Sequence, residues 1–134
     1  MENLPVVLII EDDELIQNML QVELSEAGFE PAIAASGEEA VTLLNGASLI
    51  KNAAIRYRAL VTDINLKGKI DGWQVAQRAR EIEPMFPIVY VTGAAADEWP
   101  SKGVPNSILL TKPFAPAQLV TAISELLNTG TPTG

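Results

Sequence analysis

Carboxylates gather where an apolar run ends. VVLII (6–10) leads straight into Glu11, Asp12, Asp13 and Glu14. Two unit charges about 4 Å apart repel by roughly 4 kcal/mol at an effective dielectric of about 20. A strand that delivers several acids to its end needs something to offset them, either a divalent cation or a helix N-terminus. Other apolar runs also end in reactive types: Asp63 follows ALVT, Thr92 closes PIVYVT, and Lys112 follows SILLT. Brought together, these residues offer acids for a hard cation, a carboxylate able to act as nucleophile, a hydroxyl and an ammonium.

The missing residue types narrow the chemistry. There is no cysteine and no histidine. Disulfides, thiolate catalysis, a Ser-His-Asp triad, a phosphohistidine and a His-ligated metal are all excluded. A bound metal must be oxygen-ligated, which favours magnesium, calcium or manganese. Seventeen acids against nine bases leave a net charge of −8, which argues against nucleic acid and anionic membranes as direct partners. The start MENLP lacks the pattern of a signal peptide, and no apolar run approaches membrane-spanning length. The expected location is cytoplasmic. A chain of 134 residues with 48% apolar content fits one globular domain.

The positioning elements follow from periodicity. VVLII reads as a strand buried on both faces. A helix over 13–27 places Ile16, Met19, Leu20, Leu24 and Ala27 on one face, and Gly28 stops it. EPAIAA (30–35) is a short strand, and Pro31 assigns it to a sheet edge. Ser36 and Glu39 form a capping-box pattern that starts a second helix, with Ala40, Leu43, Leu44 and Ala47 inward. Residues 48–58 read equally as helix extension or long loop. ALVT (59–62) is a third strand. Asp71-Gly72 is a turn and cap opening a third helix to about Glu83, with Val75, Ala76, Ala79 and Ile82 inward. PIVYVT (87–92) is a fourth strand. AAADEWPSKG is a short helix expected to break at Pro100. SILLT (107–111) is a fifth strand. A last helix has Pro116 in its first turn and Leu119, Ala122, Ile123 and Leu126 as its stripe. Asp13 and Glu14 suit the first helix turn, where acids cap and complement the dipole.

Five strand–helix units imply an α/β fold, a doubly wound parallel sheet with helices on both faces. With Pro31 at an edge, the order 2-1-3-4-5 satisfies the pattern. Ligands in such sheets sit beyond the strands' carboxyl ends, where strand order reverses. That crevice collects Glu11 and Asp12, Asp63, Thr92 and Lys112. Mg²⁺ would turn the three acids into an oxygen site, and Lys112 would supply a second positive group for an incoming phosphoryl.

In this arrangement the chain resembles the receiver domain of two-component response regulators, over nearly its whole length. The marks are EDD after the first strand, VTDI at the third, DGW eight residues on, VTG at the fourth and LTKPF at the fifth. The resemblance implies a flavodoxin-like (βα)5 fold, with a receiver over 1–128 and a frayed tail over 129–134. It implies Asp63 as phosphoacceptor, Asp12 as a direct magnesium ligand, Glu11 as an acid binding through water, and the Asn65 backbone carbonyl as a further ligand. Thr92 would turn toward the phosphoryl group, Lys112 would pair with it, and Gly93 would leave it room. Lys112-Pro113 matches a bond often cis in the family. Trp73 and Trp99 read as packing or partner-surface residues.

The resemblance further implies a single-domain regulator rather than an enzyme. It would be phosphorylated by a sensor histidine kinase or a histidine phosphotransfer protein, and would signal through protein contacts or act as a phosphate sink. The outer face of the first helix would dock the donor. Two departures stand out. Leu109 occupies the position, three before Lys112, where the family often carries a switching aromatic. The loop after Asp63 is one residue longer, with Lys67 where proline is common. A mobile segment after the fourth strand, whose ordering is itself the switch, is the corresponding expectation. Two rival readings are a magnesium-dependent phosphatase with Asp63 as nucleophile and a pseudo-receiver that only binds proteins. The first usually needs an acid two residues after the nucleophile, where this chain has Asn65. The second predicts missing acids or a missing lysine, and none is missing.

Overall fold

The structure is a computed structural model and describes residues 4–49 and 57–129. Its elements alternate along the chain: β1 (Val6–Ile10), α1 (Glu14–Glu26), β2 (Glu30–Ala34), α2 (Gly37–Leu49), β3 (Tyr57–Asp63), α3 (Gly72–Ile82), β4 (Ile88–Thr92), a 3₁₀ turn (Ala96–Glu98), α4 (Trp99–Lys102), β5 (Ile108–Thr111) and α5 (Pro116–Thr129). All strand pairs are parallel, in the order β2-β1-β3-β4-β5. The fold is the expected (βα)5 doubly wound sheet, with the Pro31 strand at an edge.

Side-chain alternation along the strands builds two cores. Leu8, Ile10, Leu60, Ile88 and Tyr90 face α2 and α3, packing on Ala40, Leu44, Val75, Ala76 and Ala79. Val7, Ile9, Val61, Val89 and Val91 face the other way, onto Leu20 and Leu24 of α1 and Leu119, Ala122 and Ile123 of α5. Each fully buried aliphatic side chain contributes about 1.5–3 kcal/mol, so the continuous apolar runs of the central strands are what hold the sheet between two helical layers.

Several expectations shift in detail. Tyr57 and Arg58 extend β3 ahead of ALVT, with a register irregularity against Val6 and Val7. Within residues 48–58, α2 reaches Leu49 and β3 begins at Tyr57; the rest of that segment lies outside the described residues, as does the tail beyond Thr129. Glu39 Oε1 accepts from Ala35 N–H rather than from Ser36, while Ser36 Oγ accepts from Glu39 N–H. Gly28 ends α1 with φ +94°.

Three readings of the helices need correction. Met19 is 42% exposed, because the buried stripe of α1 is centred on Leu20 and Leu24. Each residue turns the helix by about 100°, so Met19 falls off that stripe, and Ala27 is the exposed C-cap. Pro100 does not break its helix. The 3₁₀ turn runs into α4 with Pro100 in its first turn, where a missing N–H costs no helical bond.

Candidate functional site

The site forms where the ladders run out. Ile10 pairs with Thr62, Asp63 with Val91, and Thr92 with Thr111. Glu11 and Lys112 each lie one step past the end of their strand, so both meet Asp63 at the same edge. Backbone bonds carry the ladder that last step: Glu11 N–H donates to Ala34 O at 3.1 Å and Lys112 N–H to Thr92 O at 2.8 Å. Gln17 Nε2 donates to Glu11 O at 2.6 Å, fixing the turn into α1. The following bond, Lys112-Pro113, is cis.

The side chains converge as the sequence implies. Lys112 Nζ lies 2.9 Å from Asp63 Oδ2 and 3.2 Å from Glu11 Oε1. One carboxylate oxygen from each of Glu11, Asp12 and Asp63 lies within 4.8 Å of the others. Opposite oxygens of an octahedral magnesium site are about 4 Å apart, so this donor set fits one hard cation with little adjustment. Glu11 is only 1% exposed. Burial, chiefly, raises its carboxyl pKa above the ordinary value; the Asp13 amide and Lys112 oppose this, and Asp63 adds to it. The Lys112 ammonium is pushed down by burial but lifted by more through Asp63 and Glu11, so it stays firmly protonated. Asp13 is not in the cluster. It caps α1, with Oδ1 accepting from Leu15 N–H at 2.9 Å and Ile16 N–H at 3.3 Å.

The remaining site residues line the rim. Asp63 Oδ1 accepts from Ile64 N–H at 2.7 Å, which orients the carboxylate. Thr92 is fully buried, and its Oγ1 accepts from Ala94 N–H at 3.2 Å and Ala95 N–H at 2.9 Å. Asn65 is exposed, two residues beyond Asp63. A Cβ on Gly93 would meet only the Lys112 Cβ, at 3.9 Å, so space alone does not demand glycine there.

The model of the family described as "Response regulator receiver domain" matches residues 7–124. The chain belongs to that family. A crystal structure of a response regulator receiver protein from Sinorhizobium medicae WSM419 is 42% identical, superposes with a TM-score of 0.86, and is matched over 94% of this chain and 96% of that one. Two full-length relatives are each 31% identical over 124 residues, or 91% of this chain. They are the "Probable transcriptional regulator ycf27" of Cyanophora paradoxa and the "Transcriptional regulatory protein QseB" of Haemophilus influenzae. The receiver chain spans about half the length of each, 48% and 52% respectively.

Residues not singled out by the sequence also shape this receiver site. Gly72 reads there only as part of a turn. In the fold its Cα abuts the end of β3, and a Cβ would overlap the Asp63 carbonyl oxygen, while its N–H donates to Ile64 O at 3.0 Å. The Asp-Gly pair eight residues after Asp63 was the available signal. Its Asp71 completes a capping box with Gln74. Leu109 is half-buried and pairs in register with Tyr90, so an aromatic does stand in this layer, on β4 instead of β5. Tyr90 is fully buried, its ring centroid is 4.8 Å from that of Trp73, and its hydroxyl accepts from Val104 N–H at 3.1 Å. Trp99 is a packing residue whose Nε1 donates to Ser107 Oγ at 3.0 Å.

Proposed function

We propose that this receiver is a phosphoryl-accepting switch with Asp63 as acceptor. The observation that carries the reading is the Asp63 carboxylate held between a lysine ammonium at 2.9 Å and a pair of neighbouring acids. An Asp63 oxygen attacks the phosphorus of a phosphohistidine on a sensor histidine kinase or a phosphotransfer protein. The P–N bond breaks, its electron pair returns to the imidazole nitrogen, which takes up a proton, and an acyl phosphate remains on Asp63. Glu11, Asp12, Asp63 and the Asn65 carbonyl would hold Mg²⁺, which neutralises charge on the transferring group. Lys112 is placed to pair with the new phosphoryl oxygens.

The output follows from what the phosphoryl would draw. Thr92 Oγ1 can turn toward it, releasing the Ala94 and Ala95 amides and the loop that leads to α4. Leu15, Met19 and Val22 form an exposed apolar row on α1, at 80%, 42% and 57% exposure, and suit docking of the donor. The acidic surface favours protein partners over nucleic acid. No helix among the described residues is long and apolar enough to cross a membrane, which is compatible with a cytoplasmic role. Asn65, two residues past Asp63, cannot protonate a leaving group, so a regulator is favoured over a phosphatase that turns over small esters.

Intact-protein mass spectrometry after incubation with a phosphohistidine donor and Mg²⁺ tests the reading, with acetyl phosphate as a second donor. The expected result is a gain of one phosphoryl group, lost in Asp63→Ala and on chelation. No gain from either donor overturns it.

A further inference from the structure

The loop after Asp63 leaves β3 and returns as α3. Gly72 N–H closes its base by donating to Ile64 O. Its far side rests on the start of α2. Glu38, in the first turn of that helix, turns its carboxylate outward, and Oε2 accepts from Lys69 N–H at 2.8 Å across 31 residues of sequence. Gly68 adopts φ +98°, and a Cβ there would lie 2.8 Å from both Glu38 oxygens. Next to Glu38, Gly37 presses on the same loop: a Cβ on it would come 2.5 Å from the Ile70 carbonyl oxygen. A carboxylate and a backbone approach therefore grip three consecutive residues, Gly68 to Ile70. The Glu38 carboxyl is held below the ordinary glutamate range, chiefly by the Lys69 amide.

This grip matters because of what the loop carries. Asn65 lies three residues before Gly68, and no proline stiffens the loop between Ile64 and Asp71. Tethering a flexible loop near its middle shortens the free segment and lowers the entropy cost of fixing any one atom. We propose that Glu38 is a positioning residue for the metal site, clamping Gly68 and Lys69 so that the Asn65 carbonyl is held ready for Mg²⁺. The inference rests on the receiver reading above and deepens it. Glu38 itself touches neither metal nor phosphoryl group.

The test is Mg²⁺ titration calorimetry on the full chain, with amide hydrogen exchange of residues 65–70 alongside. Glu38→Ala weakens Mg²⁺ binding by about threefold to tenfold, less than the roughly 10–100-fold lost when a group bonded directly to a metal ligand is removed, because Glu38 acts through the loop backbone, and it speeds exchange across the loop. Glu38→Gln keeps an oxygen acceptor for Lys69 N–H and stays within about twofold of wild type. Equal weakening in both variants would assign the effect to lost charge and overturn the clamp. Wild-type affinity and wild-type exchange in Glu38→Ala would overturn it too. A wild-type chain that binds no Mg²⁺ would instead overturn the metal-site reading, and the clamp's role with it.

Discussion

Lys112 Nζ bridges Asp63 Oδ2 and Glu11 Oε1, at 2.9 and 3.2 Å, so one ammonium serves two carboxylates from different strands. Removing it leaves the buried Glu11 without its cation. Lys112→Ala is expected to lower stability in metal-free buffer by about 1–3 kcal/mol, less than a fully buried pair would cost because Lys112 is partly exposed. The same variant binds Mg²⁺ more tightly, since a competing positive charge is gone. Urea denaturation with and without Mg²⁺ reads both effects. Unchanged stability and unchanged Mg²⁺ affinity would show that the three groups are not coupled.

Thr92 Oγ1 accepts two loop amides, from Ala94 and Ala95. Thr92→Ala leaves them unpaired and costs about 1–2 kcal/mol, whereas Thr92→Ser keeps the acceptor. Phosphorylation of wild type is expected to alter hydrogen exchange over residues 93–106. In Thr92→Ala the phosphoryl group still adds, but that change shrinks. Exchange that is the same before and after phosphorylation in wild type would remove this loop from the switch.

Tyr90 ties β4 to the segment before β5 through Val104. Tyr90→Phe loses that acceptor, at about 0.5–1.5 kcal/mol near neutral pH. Burial, only partly offset by the Val104 amide and Arg80, raises the phenol pKa above the ordinary 10.0. A raised folded-state pKa gives stability that is present below 10 and lost as pH rises through the folded value. Wild type should therefore lose stability at alkaline pH faster than Tyr90→Phe. Parallel pH curves for the two proteins would contradict this.

Gly72 leaves no room for a methyl group against the Asp63 carbonyl. Gly72→Ala is expected to cost at least about 2 kcal/mol by overpacking and to displace the end of β3 at Asp63. Thermal denaturation checks the first effect, and slower phosphorylation at a temperature where the variant remains folded checks the second. A variant as stable and as quickly phosphorylated as wild type would mean the backbone yields there.

What the sequence made legible was whatever local patterning records. Apolar runs such as VVLII and PIVYVT mark strands buried on both sides. Asp13, Ser36 and Asp71 mark helix starts, and residues at strand ends must meet once the strands are parallel. Glu11, Asp12, Asp63, Thr92 and Lys112 were accessible by that logic. Contacts between distant backbones were not. Glu38 on Lys69 and Gly72 on Asp63 depend on how close two layers come, and no residue period encodes that distance. Met19 was misplaced because α1 carries two apolar stripes, and only tertiary packing selects which one faces the sheet. Pro100 was misread because a proline tolerated in a first turn looks, in sequence, like one that ends a helix.

The sheet has two open borders, and proline marks both. Pro31 lies within β2, and β5 is only Ile108–Thr111, with Pro105 ahead of it and Pro113 behind. A strand from a second molecule would find one border interrupted and the other four residues long. Short, proline-marked borders are poor templates for strand addition. Edge-to-edge growth of the sheet is therefore disfavoured, and copies that do associate should meet through side chains on helices rather than by extending the sheet.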